Sequence, residues 1–271
     1  MHSFETPGGA SLRVDFPAGT LTVETWTEPR VEAEVTPARG GDRSAEAAAT
    51  TRVSASERGG GHEIVVRAPK RDGWRSLGRG AELAVSIRCP EGSDVELATQ
   101  SADLEGRGRL GAVTARSASG DATLDDVASL SFTTASGDLT AGDVGGALTA
   151  KSASGDVDVR SVGTTGSVTT VSGDIRIGGA AGAVAAKSVS GDVEIGAAAG
   201  SVLVGTVSGD VEVGAVPGLV LWIDAQSVSG SMSCELDVGD EPAASRDDAV
   251  EFRVRSVSGD VRITRSMAAA R

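Results

Sequence analysis

The chain has 271 residues with 37 glycines, no tyrosine, 3 tryptophans and 4 phenylalanines. A bulky aromatic core is therefore excluded, and the interior must be built from many thin layers of Val, Ile, Leu and Ala. A formal net charge of -13 favours solubility and excludes nucleic acid as a partner, because phosphate binding needs a basic surface.

The opening, Met1-His2-Ser3-Phe4-Glu5-Thr6-Pro7, lacks a positive stretch followed by an apolar one, and no run approaches the roughly 18 apolar residues of a membrane span. The expectation is a cytoplasmic protein with no transmembrane segment, its association with an envelope left to a partner. Residues 12–16, 20–24 and 31–35 alternate apolar and polar and predict three strands, with a turn at Pro17-Ala18-Gly19. Residues 42–51 are rich in Ala and Glu and predict one short helix, with Asp42 or Ser44 placed to cap it. Residues 63–67 and 82–87 predict two further strands. Between them lies a basic loop, residues 70–80, in which Arg71, Trp74, Arg75 and Leu77 are the best local candidates for a protein contact. Its bland alternative is a hairpin loop whose Trp covers the end of the core.

From residue 95 onward a repeat takes over. Ser-Gly-Asp or a one-letter variant recurs with its glycine at Gly120, Gly137, Gly155, Gly173, Gly191, Gly209, Gly230 and Gly259, in steps of 17, 18, 18, 18, 18, 21 and 29. Thr99-Gln100-Ser101-Ala102-Asp103 is a forerunner in which Ala replaces the glycine. A period carried by a turn tripeptide reads as the coil of a solenoid: an all-β, parallel β-helix with 18-residue coils. Each repeat has one strand before the turn and one after it. Leu148 and Ala150 alternate with Thr149 and Lys151, and Val157 and Val159 with Asp158 and Arg160, so the apolar sets face the core. The 21-residue step admits the apolar run at residues 216–223, whose Trp222 is a further candidate for a protein contact; the 29-residue step admits an acidic, Pro-containing loop at residues 237–249. The last coil, residues 252–263, is then covered only by the final six residues.

The turn motif itself has three readings. As structure, Gly supplies a positive φ while Ser and Asp accept hydrogen bonds from turn amides, which makes the eight glycines a turn ladder. As a cation site, Asp138, Asp156, Asp174, Asp192 and Asp210 stack hard oxygens about 4.8 Å apart, but calcium takes six to eight oxygens and each turn brings one carboxylate. As a surface, the Ser or Thr two residues before the motif's own serine makes hydroxyl columns. These face outward if the intervening Val points in, whereas strict alternation from Leu148 puts Ser152 and Ser154 inside. Catalysis has no support: His2 and His62 lie outside the repeats, the motif serines lack a base, and no phosphate-binding loop is present. Two cysteines, Cys89 and Cys234, are too few for a disulfide framework.

With its opening heptapeptide, the bend at Pro90-Glu91-Gly92 and the Ser-x-Ser-Gly-Asp-Val repeats, the chain resembles a bacterial family of β-strand-repeat proteins grouped as adhesins around a domain of unknown function. Its Gly, Ala, Arg and Asp usage looks like an actinobacterial member. The resemblance implies a β-helix-like fold and no enzyme activity, and some such relatives are associated with envelope stress. The expected organisation is a strand-rich region at 1–93 capping or continuing into the solenoid, repeats at 94–265, and a tail at 266–271. The expected function is a non-enzymatic scaffold or adhesin-like protein acting through a protein partner or self-association, without cofactor. Calcium or ligand binding by the stacked turns is the alternative.

Overall fold

The computed structural model describes residues 1–7, 9–38, 41–58, 61–69, 81–236 and 249–266. Its strands divide between two compact units, Met1–Ala141 and Gly142–Arg271. In both, the backbone winds as coils of two strands, and each coil strand hydrogen-bonds in parallel to its counterpart in the coil stacked on it.

In the first unit, β1 (His2–Glu5) is followed by the coil strands β2 (Ala10–Asp15) and β3 (Ala18–Trp26), then by β4 (Arg30–Pro37), helix α1 (Asp42–Thr50) and β5 (Arg52–Arg58). The pair β6 (Gly61–Arg67) and β7 (Leu83–Pro90) forms a second coil, β8 (Asp94–Ala98) and the start of β9 (Ser101–Arg116) a third, and β10 (Ala122–Thr133) continues the stack. The stacking order departs from chain order. β2 lies between β6 and β8, with Leu12 opposite both Ile64 and Val95; β3 lies between β7 and β9, with Leu21 opposite both Val85 and Leu104. The first coil of the chain is thus enclosed between its second and third. The far edge of that second coil is closed by antiparallel strands: β5 on β6, β4 on β7, and β1 on β4.

The predicted strands and helix form, with one difference in capping. The N-cap of α1 is Gly41, with no side-chain cap, Asp42 is the first helical residue, and Ser44 is buried and accepts a hydrogen bond from the Glu82 backbone N–H at 3.3 Å. Ser44 therefore ties the helix to the start of β7 and does not cap it. β1 and β5 lie outside the predicted elements, since neither His2–Glu5 nor Arg52–Arg58 carries a clean apolar alternation.

β11 (Leu139–Val144) crosses the division between the units. The second unit then stacks β12 (Leu148–Lys151), β14 (Thr165–Thr169), β16 (Ala183–Lys187) and β18 (Val202–Gly205) in one sheet. It stacks β13 (Val157–Val162), β15 (Ile175–Ala180), β17 (Val193–Ala198) and β19 (Val211–Ala215) in the other. Val157, Ile175, Val193 and Val211 lie in one column, each no more than 1 % exposed, and Val159, Ile177, Ile195 and Val213 in the next. Full burial of one such side chain is worth about 1.5–3 kcal/mol, so these columns supply the core that the chain cannot draw from aromatic residues. Asp158, Arg176, Glu194 and Glu212 project outward between them.

The last two coils reverse. β18 pairs with β22 (Val250–Ser258), and β22 pairs on its other side with β20 (Leu221–Ser229). Likewise β19 pairs with β23 (Val261–Arg265), which carries β21 (Met232–Cys234). The expectation that residues 252–263 form the exposed final coil is therefore overturned: Phe252 and Val254 are fully buried between Val202 and Val204 on one side and Ile223 and Ala225 on the other. An inserted terminal coil has both edges paired, which holds the end of the chain against fraying. A uniform 18-residue coil does not describe the chain either. The hydrogen-bonded aspartate turns lie 18 residues apart from Asp156 to Asp210, 17 apart from Asp121 to Asp138, and 50 and 29 apart across the reversed coils.

Candidate interaction surface

The turn motif has one geometry with three consequences. The first concerns glycine. A Cβ at Gly137 would stand 2.0 Å from the Gly120 carbonyl oxygen, one at Gly173 2.1 Å from Gly155 O, one at Gly191 2.2 Å from Gly173 O, and one at Gly209 2.2 Å from Gly191 O. In the reversed coils Gly259 meets Gly209 O and Gly230 meets Gly259 O, each at 2.1 Å. Glycine is required because successive turns stack backbone on backbone. Of the eight turn glycines only Gly209 and Gly259 have positive φ, so the expected left-handed conformation is not the general reason.

The second concerns aspartate. Within each unit, motif carboxylates accept the backbone N–H of their counterparts in the coil stacked on them. In the first unit Asp103 Oδ1 accepts from Asp121 at 3.1 Å, and Asp121 Oδ1 from Asp138 at 2.9 Å. In the second, Asp156, Asp174, Asp192 and Asp210 accept in turn from Asp174, Asp192, Asp210 and Asp260 at 2.8–3.0 Å. Asp260 then accepts from the Ser231 N–H at 2.8 Å, and at Ser231 the motif reads Ser-Gly-Ser. The coil without a carboxylate is the one on which no further described coil stacks. Hydrogen bonding to the Ser231 backbone N–H, then to its side chain, holds Asp260 below the usual carboxylate range.

The third concerns the two residues before the glycine and the one before them. Ser152, Thr170, Ser188, Thr206 and Ser256 are buried, so the first hydroxyl column faces in. Ser117, Thr134, Ser152 and Thr170 each accept from the glycine N–H three residues on, at 2.7–3.0 Å, which is the local hydroxyl turn their spacing allows. At Gly209 and Gly259 the N–H is given instead to the Ser258 and Ser229 carbonyls, and the Thr206 and Ser256 hydroxyls have no partner among the described residues. The chain bends after that hydroxyl, so Ser154, Ser172, Ser190, Ser208 and Ser258 face solvent. Strict alternation therefore fails at Ser154, and an outward array of both hydroxyl columns does not form.

Between the two hydroxyls stands a residue that faces water. In the earlier repeats it is Ala118, Ala135 and Ala153; from the fourth onward it is Val171, Val189, Val207, Val228 and Val257, 45–82 % exposed. The backbone bonds Ser190 N–H to Val171 O, Ser208 to Val189 O and Ser258 to Val207 O order this stripe, and Ser229 lies opposite Ser258, so Val228 ends it. Five valines at about 4.8 Å per layer make a stripe roughly 20 Å long.

Val228 belongs to the outermost described coil, where β20 and β21 place Trp222, Met232 and Cys234. Met232 is 56 % exposed, and Ile223 and Ala225, at core positions, are only half-buried. Arg255 clamps this coil to β22 with a bidentate pair onto Asp224, at 2.8 and 2.6 Å. Arg71, Trp74, Arg75 and Leu77 lie outside the described residues, as do residues 237–248 of the acidic loop.

For cations and catalysis the arrangement offers little. A shallow groove of about 260 Å³ beside the ladder is lined by Asp192, Glu194, Asp210 and Glu212, but Arg176 and Arg262 interleave with them. Asp156, Asp174, Asp192 and Asp210 each already have one oxygen on an amide. No group of three or more His, Cys, Asp or Glu side chains among the described residues is placed to hold a metal. Burial pushes the Cys89 thiol up to about 11, against a smaller lowering by Ser93, so it stays protonated and unreactive at neutral pH. Among the described residues no helix is long and apolar enough to cross a membrane.

Stacked parallel coils with a backbone turn ladder along one corner define a β-solenoid repeat protein. The chain belongs to the Toastrack DUF4097 family, whose model matches residues 30–264. Among solved structures it is similar to a candidate cell adhesion protein of Clostridium sporogenes (11% identity, TM-score 0.29, covering 96% of this chain and 93% of that one). It is also similar to candidate adhesins of Bacteroides fragilis (11%, 0.47, 97% and 95%) and Parabacteroides distasonis (10%, 0.42, 96% and 95%). A comparison with curated proteins finds no match.

Proposed function

We propose that this protein is a non-enzymatic scaffold that works by binding protein through the apolar faces of its second unit. One observation carries the reading: the valine stripe. The same turn closes with Ala118, Ala135 or Ala153 in the same place, so the fold does not require a larger apolar residue there. Yet every later repeat exposes a valine, and aligned exposed apolar groups of this kind mark contact surfaces. The acidic composition restricts the partner to a surface that is not itself strongly acidic.

A photoreactive amino acid placed at Val189 or Val207 in the cell of origin tests this. Adducts of defined mass are expected at both positions and not at Asp158, which faces outward away from the stripe; no adduct at either valine removes the reading.

A further inference from the structure

We propose that the valine stripe docks a basic amphipathic helix of a partner protein, with the helix's apolar face on the valines and its lysines or arginines over the carboxylates beside them. The proposal rests on the protein-contact reading above and gives the partner its chemistry. Three observations carry it.

First, the stripe is exposed and regular. Val171, Val189, Val207 and Val257 are 45–49 % exposed, and parallel bridges from Ser190 to Ser208 and from Ser208 to Ser258 hold neighbouring turns in register. Second, the two flanks of the stripe differ in charge. The groove on one side is lined by six carboxylates against two arginines. Arg176 is engaged by Asp174 at 3.0 Å and Arg262 by Glu212 at 3.8 Å, whereas Asp192, Glu194 and Asp210 have no ion pair among the described residues. Asp192 and Asp210 each give Oδ1 to a backbone amide, which leaves Oδ2 for a partner's cation. The outward column on the other side, Thr169, Lys187, Gly205 and Arg255, holds no carboxylate. Cations along one side of a partner therefore fit in one orientation, and cations on both sides would meet Lys187.

Third, the spacing suits a helix. The valines recur at about 4.8 Å per layer; a helix laid along them returns a side chain to the same face every turn of about 5.4 Å, and an extended strand every two residues, or about 6.8 Å. From the first valine to the fifth the helix drifts by roughly 2 Å and the strand by roughly 8 Å. A stripe of about 20 Å takes roughly 13 helical residues. Asp192 and Asp210 stand three residues beyond Val189 and Val207, at most about 10 Å along the chain. That lies within the width of one helix with its side chains, so basic residues beside its apolar face reach the carboxylates while that face covers the valines.

The test is fluorescence anisotropy of three labelled helical peptides of about 18 residues, or five turns, titrated with the intact chain. The first carries leucine along one face and lysine along one flank of it, the second has glutamate for lysine, and the third has glutamine for leucine. The leucine–lysine peptide is expected to saturate at one peptide per chain and to weaken about tenfold between about 0.05 M and about 0.5 M salt. The glutamate peptide does not bind, and the glutamine peptide binds several-fold more weakly. Val189→Ser and Glu194→Gln each weaken the leucine–lysine peptide several-fold. Ser167→Lys alters the net charge by the same single unit as Glu194→Gln, but on the outward face of β14, and leaves binding unchanged. A melting curve for each variant checks that it folds.

Equal binding of the glutamate and lysine peptides overturns the charge assigned to the partner. Equal weakening by Glu194→Gln and Ser167→Lys overturns the site, since the attraction would then follow net charge alone. Full binding of the glutamine peptide, or to Val189→Ser, removes the stripe from the contact. Release of bound peptide as the protein is concentrated overturns the helix in favour of a second copy on the stripe. None of these outcomes touches the broader reading, which fails only if probes at Val189 and Val207 capture nothing; adducts there without binding of the leucine–lysine peptide would leave a protein contact whose partner is not a basic helix.

Discussion

At Gly173 the cost of any side chain is set by a neighbour that cannot move. The missing Cβ would sit 2.1 Å from the Gly155 carbonyl, itself fixed in the stacked backbone, so Gly173→Ala must force adjacent coils away from each other. It is expected to cost about 3 kcal/mol or more, at or beyond the upper end of overpacking substitutions. Gly205 is the control: in β18, with no positive φ and its nearest neighbour a Lys187 side-chain carbon at 4.0 Å, it has room. Gly205→Ala should leave stability unchanged or raise it by up to about 1 kcal/mol by restricting the unfolded chain. Urea unfolding of the two variants reads the difference, and equal effects would show that stacking distance is not what selects glycine.

At the scale of the element, two hydrogen-bonded carboxylates, Asp260 and Asp143, give the fold its acid sensitivity. Asp260 is held below its ordinary value by Ser231, and Asp143 by hydrogen bonds from Arg160 and then Ser161. A carboxylate depressed in the folded state contributes stability that is complete above its unfolded value, about 3.9, and is lost as pH falls through the lower folded value. The urea midpoint should therefore hold steady through this contribution down to about pH 5 and fall below about pH 4. Asp260→Asn keeps an oxygen for the Ser231 N–H but removes the titration, so it should lose less between pH 5 and pH 3. An identical acid loss in both proteins would detach Asp260 from the effect. The strands beside these turns were legible in the sequence, because inward Val157, Ile175 and Val193 alternate with outward Asp158, Arg176 and Glu194 at fixed spacing. The hydroxyl columns were not, because alternation alone cannot register the bend that follows Ser152. The reason for the glycines was also hidden, since a distance between coils has no signature within one repeat.

For the molecule as a whole, the order of coils was the least legible feature. Spacing gives the sequence of repeats along the chain, and a solenoid ordinarily stacks them in that order. Here the first coil is enclosed between the second and third, and the last lies inside the one before it. One residue did mark the second reversal: Ser231, where the ladder drops its carboxylate, stands in the penultimate repeat, and Asp260 in the last. A ladder that ends at residue 231 cannot end at residue 260. This order decides which coil lies outermost among the described residues, and so where the valine stripe ends.

Amide hydrogen exchange resolved residue by residue, at low micromolar protein, tests that order most directly. If β22 is enclosed, every amide from Phe252 to Arg255 has a strand partner and exchanges slowly, while along β20 the described pairing protects only the amides that face β22. Uniform protection along β20 with alternation along β22 would contradict the account, since it would put the coils back in chain order and leave the other strand at the edge.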